Sequence, residues 1–400
     1  MPTRYIFWIT CSLLGLSLPL SQAAEYDFSG QISAETRFFP NSPQYSDQFD
    51  LWQPSLTFQP ELEVDLAEGV HQFSLIPYLR LDAMDSNHTH WDLREAYWRY
   101  VGDDVELLFG VNKVFWGVTE SRHLVDVINQ TDAIEDIDEE DKLGQPMIQL
   151  STTQDWGTVS GFVLPRFRER TFPGPDGRLR GPLVVDGDSA EFESDLEEWH
   201  PDVALRYSHY LGDWDFGVYY FYGTGREPIL IPKGNGRELT PRYELIHQTG
   251  IDIQYTKDAW LWKFEGIMRE GHGDIFGAVV AGFEYTFYQI FSTSADLGVL
   301  SEYLYDGRNE REAPVTTFQN DVFLGTRLTL NDTEDTALLA GTIIDVEDLT
   351  TSFTIEFERR IGNDWKIEVE NRFFTNVDSG NTARAFKNDS FINVRLTRFF

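Results

Sequence analysis

Cysteine is all but missing from this 400-residue chain: the only one is Cys11. It falls in the apolar stretch Tyr5 to Leu20, after the basic Arg4 and before the small residues of Ser21-Gln-Ala-Ala24. That order reads as a secretory signal peptide over 1–23, cut after Ala23 or Ala24 and too short to anchor as a membrane helix. The chain beyond it carries no thiol, which excludes a disulfide framework, a thiolate nucleophile and any cysteine-ligated metal. Long apolar runs are missing too, since no later stretch approaches the roughly 18 residues a membrane helix needs. Basic residues are scarce, 32 Lys and Arg against 66 Asp and Glu, for a net charge of −34. Nucleic acid is therefore not a partner, because it requires a basic footprint.

Aromatic residues are abundant: 30 Phe, 17 Tyr and 11 Trp. Many cluster where alternating segments end, as in Trp91, Trp98 and Tyr100, or Trp260 and Trp262. Acidity and modest mean hydropathy would describe a soluble protein, but a membrane barrel buries only alternate residues in lipid and keeps its hydropathy moderate. Period-two alternation predicts eighteen strands, sixteen being the nearest other count. They fall near 26–38, 54–66, 70–83, 91–101, 104–115, 145–152, 156–166, 201–211, 213–223, 242–256, 259–269, 276–289, 295–305, 318–330, 335–346, 350–361, 364–375 and 390–400. Their connections alternate long and short along the chain, with two shorter members among the long ones, near 270–275 and 347–349. Short periplasmic turns and long extracellular loops produce that parity, whereas a β-sandwich does not. The expected fold is all-β: one transmembrane antiparallel barrel over 24–400.

The last segment is the sharpest. Ile392, Val394, Leu396 and Phe400 form an apolar stripe for lipid, while Asn393, Arg395 and Thr397 face inward. Arg398 interrupts the stripe near the end, where a long side chain reaches headgroups.

Opposite the apolar faces lie charges of both signs, among them Arg94, Arg206, Arg242, Glu244, Glu265, Arg327, Glu356, Glu370 and Arg395. They predict a wet interior, either self-paired or arranged as a field for a charged solute. Segment 116–144 carries nine acids against Arg122 and Lys142. Leu124, Val127 and Ile128 have helical spacing, which predicts a short amphipathic helix near 121–129. Folded inward, the segment is a constriction loop bearing Asp132, Glu135, Asp136, Asp138, Glu139, Glu140 and Asp141; left outside, it is a solvated acidic loop. Arg166, Arg168 and Arg170 recur at every second position, which puts them on one face of an extended chain. That row suits carboxylate or phosphate groups, or self-pairing within its loop. The EF-hand pattern fails at Asp136, Asp138 and Glu140 for want of its glycine and last glutamate, so no metal site is expected.

With its signal peptide, parity-alternating loops, aromatic clusters and terminal Phe400, the chain resembles a Gram-negative outer-membrane porin. Within that class it is similar to eighteen-stranded substrate-selective porins and alginate-export barrels. The resemblance implies passive, weakly selective diffusion of small charged or polar solutes, with no cofactor and no catalysis. It implies outer-membrane lipid and lipopolysaccharide around the wall, and assembly by the barrel-insertion machinery that reads the final strand. The acidic run 132–141 departs from a purely anion-selective pattern. Two other readings compete: a structural or adhesive barrel with a plugged lumen and cation-binding loops, and an outer-membrane hydrolase. Against the last, no Gly-x-Ser-x-Gly or His-Glu-x-x-His motif is present, and Ser208 and His209 point to opposite faces of a strand.

Overall fold

The computed structural model describes residues 24–234 and 236–400, so the expected signal peptide over 1–23 lies outside the described residues. Eighteen strands form one sheet. In chain order the first nine are Glu25–Phe38, Trp52–Leu66, His71–Asp82, His90–Val101, Val105–Asn112, Gln145–Gln154, Gly157–Leu164, Asp202–Leu211 and Trp214–Thr224. The other nine are Leu245–Lys257, Trp260–Gly271, Gly273–Phe287, Asp296–Asp306, Asn320–Thr329, Ala337–Asp345, Thr351–Ile361, Trp365–Thr375 and Phe391–Phe399. Each pairs antiparallel with its neighbour in sequence, and the last closes on the first, from Gln31 opposite Phe399 to Phe38 opposite Ile392. Gly30 and Phe400 exchange backbone hydrogen bonds of 3.1 and 3.0 Å at the seam. Closure leaves no free edge, the condition for a sheet to cross hydrocarbon. Among the described residues no helix is long and apolar enough to cross a membrane.

Alternation decides which side chains meet lipid. On the last strand Val394 and Leu396 are exposed outward, while Asn393 and Thr397 are buried on the inner side. Phe400 sits at the rim with Phe28 and Phe58, ring centroids 6.0 and 6.3 Å away. Arg398 lies over the Trp365 ring, 5.6 Å from its centroid. Trp156, Trp214, Trp260 and Trp262 are exposed beside the short turns, in the position of an interfacial girdle. Each outward Leu or Phe covered by lipid contributes about 1.5–3 kcal/mol, so the stripe ties the barrel to the bilayer.

The connections between even and odd strands are short, the longest being 288–295 and the tightest including Gly212-Asp213, where Gly212 takes a left-handed φ of 63°. The opposite rim carries the long loops, with two exceptions: strands eleven and twelve are joined by His272 alone, and strands fifteen and sixteen by 346–350. One expected strand starts three residues late. The tenth begins at Leu245, not 242, because Glu238–Tyr243 leaves the wall and pairs with Ile229–Pro232. Val184–Val185 and Glu191–Phe192 add to it in parallel. Tyr243 anchors this small sheet, buried against Phe167 and Phe192 at 4.8 and 5.5 Å. Arg242 and Glu244, expected inside the barrel, therefore pair with each other at 3.5 Å on the loop sheet.

Candidate functional site in the barrel lumen

The segment from Lys113 to Gly144 leaves the fifth strand and returns to the sixth across the interior. Glu265 on strand eleven accepts the backbone N–H groups of Val118 and Thr119 at 2.7 and 3.0 Å. Glu302 on strand thirteen accepts those of Glu120 and Ser121, both at 2.8 Å. The expected helix near 121–129 does not form: Glu265 also takes the N–H of Val125 at 3.2 Å, which a helix would give to Ser121, and the segment runs as irregular backbone with one turn at 124–125. The apolar residues still find a wall. Leu124, Val125, Val127 and Ile128 are buried against inward-facing Leu108, Phe162, Phe221 and Ile267, so this side of the lumen is packed.

The acidic stretch that follows is held by arginines, all but Arg170 from the wall. Asp132 pairs with Arg94 of strand four at 2.7 Å, and Glu135 with Arg80 of strand three at 2.5 Å. Tyr78 also donates to Glu135, at 2.9 Å. Asp136 bridges Arg37 of strand one and Arg372 of strand seventeen, at 2.9 and 3.4 Å. Asp138 takes Arg372 at 3.0 Å, and Glu139 pairs with Arg170. Burial alone would raise the Glu135 carboxyl, but Arg80 and His90 hold it well below the usual range. Burial likewise opposes Arg372 and Arg37 at Asp136, and the arginines win, keeping it low.

Glu140 and Asp141 differ. Neither forms an ion pair among the described residues, and both reach water. The surrounding protein nevertheless encloses them, and with Asp138 and Glu356 as like-charged neighbours Glu140 is pushed up to about 7. Asp141 is pushed up to about 7 by the same enclosure, with Glu135 and Asp138 adding to it.

The arginine row does not stay together. The seventh strand ends at Leu164, and beyond it the backbone no longer alternates. Arg166 is exposed and lies over Trp199, 5.1 Å from its centroid. Arg168 reaches Asp92 at 2.6 Å, and Arg170 meets Glu139. A cluster that sequence reading missed lies beside them. Glu227 accepts Arg269 at 2.8 Å, Arg308 at 2.9 Å and Arg122 at 3.3 Å. Inward parity marks Arg269, but nothing in the loop around Glu227 signals that its carboxylate enters the wall.

Between the acidic stretch and strands fourteen to eighteen lies a cavity of about 1010 Å³. Thirteen carboxylates and seven arginines line it, so its field is negative. Two groups of side chains come close enough to share a cation: His90, Asp132 and Glu135, and Asp136, Asp138 and Glu370. Guanidinium groups already fill both. Arg94 and Arg80 hold the first, and Arg372 lies on all three carboxylates of the second. They act as ionic locks between loop and wall, and do not have the chemistry of metal centres. His88, two residues before His90, turns to Asp82 at 2.9 Å.

No protein-family model and no curated protein sequence matches this chain. Solved structures do match in shape. OccK9 (OpdG) and OccK3 (OpdO) of Pseudomonas aeruginosa each align with a TM-score of 0.54 over 94% of this chain, and over 97% and 95% of their own. A BenF-like porin from Pseudomonas fluorescens Pf-5 aligns at 0.53, over 94% of this chain and 98% of its own. Identity is 10% in all three, so what they share with this chain is the eighteen-stranded barrel fold.

Proposed function

We propose that the protein is an outer-membrane diffusion channel of a Gram-negative bacterium, with segment 116–144 as its constriction and a preference for cations. One observation carries this reading: the interior is divided. The loop's apolar residues fill one side, while its carboxylates border a cavity of about 1010 Å³ along strands fourteen to eighteen. A solute passing there meets thirteen carboxylates and seven arginines between low-dielectric walls, where charge acts strongly. The likeness to porins supports the setting. Lipid and lipopolysaccharide would surround the wall, and the insertion machinery would read Ile392, Val394, Leu396 and Phe400. The same packing that divides the lumen is what a plugged, structural barrel would need, and the test separates the two. Purified protein added to a planar bilayer in KCl should give discrete current steps. Inserted barrels that stay silent would establish the plug and reject the channel.

A further inference from the structure

The cavity wall is not uniformly acidic. The inner faces of strands fourteen and fifteen carry an apolar stretch, Phe323, Gly325, Leu339, Gly341 and Ile343, bounded by Asp321 and Asp345 at one end and Arg327 at the other. Phe323, buried on the inner side, lies flat over the cross-strand pair Gly325 and Gly341. A methyl group at Gly341 would come within 2.4 Å of that ring, and one at Gly325 within 2.8 Å. Glycine at both positions therefore lets the ring settle on the sheet as a shelf, which Leu339 and Ile343 extend.

The shelf ends on acid. Leu339 stands directly opposite Glu356, Glu356 opposite Glu370, and Glu370 opposite Asn393. Neighbouring strands are about 4.8 Å apart, so this row places an apolar surface one step from a carboxylate. Like charges directly opposite each other destabilise a sheet, and here the pattern repeats one row lower, with Glu358 opposite Glu368. Lys366 offsets the lower pair, at 2.7 and 3.1 Å. In the upper pair Arg372 takes Glu370 at 2.8 Å, whereas Glu356 has no ion pair among the described residues. Arg327, the nearest guanidinium on the shelf side, is drawn to Glu120 at 2.7 Å. Asn393 supplies a second, independent sign of a missing partner. Its side chain lines the cavity and is 3% exposed, yet its carbonyl oxygen accepts no hydrogen bond. The carboxylate without a counter-ion calls for a donor that carries positive charge, and the orphan acceptor in the same row is a further unmet hydrogen bond on this wall.

We infer that this row is a binding step for amphipathic organic cations, solutes with an ammonium group next to an apolar body. The body lies on the Phe323–Leu339 shelf, and the ammonium group reaches Glu356, with Asn393 two strands further along the same cavity wall. The assignment rests on the channel reading and narrows it from cations in general to this class. A small inorganic cation gains only the charge, and an apolar anion gains only the shelf. Neither has both.

Single-channel recording in KCl tests this with three probes: phenethylammonium, ethylammonium and 3-phenylpropionate. Phenethylammonium should interrupt the current with residence times on the order of tenfold longer than ethylammonium, from partial burial of its ring. The anion, which shares the ring, should leave the current nearly uninterrupted. Phe323→Ala should shorten phenethylammonium events toward those of ethylammonium, and Glu356→Gln should shorten both. Leu324→Ala, on the lipid side of the same strand, should change neither. Equal residence of the two amines, or interruption by the anion as long as by its ammonium counterpart, overturns the inference while KCl steps persist. A barrel that passes no KCl current removes the channel reading itself, and this inference with it.

Discussion

Among the seven acids between Asp132 and Asp141, pairing separates structural charges from functional ones. Asp132, Glu135, Asp136, Asp138 and Glu139 each meet a guanidinium, so their charge is largely compensated. Glu140 and Asp141 have none and sit near 7. The sign follows directly: a carboxyl raised to that value is ionised above about 7 and neutral below it. Cation preference should therefore weaken as pH falls from about 8 to about 6, well above the ordinary carboxylate range. Reversal potentials at the two pH values check this, and Glu140→Gln with Asp141→Asn should flatten the difference. A wild-type preference unchanged across that window would place these groups away from the ion path. The sequence displayed all seven acids as one run. It could not distinguish them, because the partners come from strands one, three, four and seventeen and, for Glu139, from the segment after strand seven.

At the level of elements, alternation fixed nearly every strand to within a residue or three, because a lipid-facing stripe tolerates no slip of register. The misses lie where backbone donors and acceptors are satisfied by something other than a ladder. The segment near 121–129 has helical spacing in Leu124, Val127 and Ile128, but Glu302 takes the N–H of Ser121 and Glu265 that of Val125. Arg166, Arg168 and Arg170 alternate only on paper, since the strand has already ended at Leu164. The loop itself is joined to the wall by buried ion pairs, which predicts how it fails. Arg80→Ala leaves Glu135 buried without its main counter-charge and should cost about 3–5 kcal/mol. A urea titration of the folded protein in detergent would read this as a lowered midpoint, and current recordings as added noise from a loosened loop. Arg80→Leu combined with Glu135→Leu should recover part of the loss, since no lone charge then remains buried. A single variant as stable as the parent would mean that the loop is held by its apolar side alone.

For the whole molecule, closure and polarity belong together. The first and last strands meet over eight residue pairs, and Phe400 seals the rim against Phe28 and Phe58. A closed sheet of this kind resists detergent until heated, so boiled and unboiled samples should migrate differently on a denaturing gel. Deleting Phe400 should lower the amount of heat-modifiable protein recovered from the outer membrane without blocking export. The central claim concerns what lies inside that wall, and the zero-current potential across a planar bilayer in a tenfold KCl gradient tests it most directly. With thirteen carboxylates against seven arginines around the cavity, the dilute side should become positive, as potassium crosses faster than chloride. The potential should shrink as total salt rises and the screening length falls to about 3 Å at 1 M. A potential of the opposite sign, or none in a conducting channel, would contradict the account.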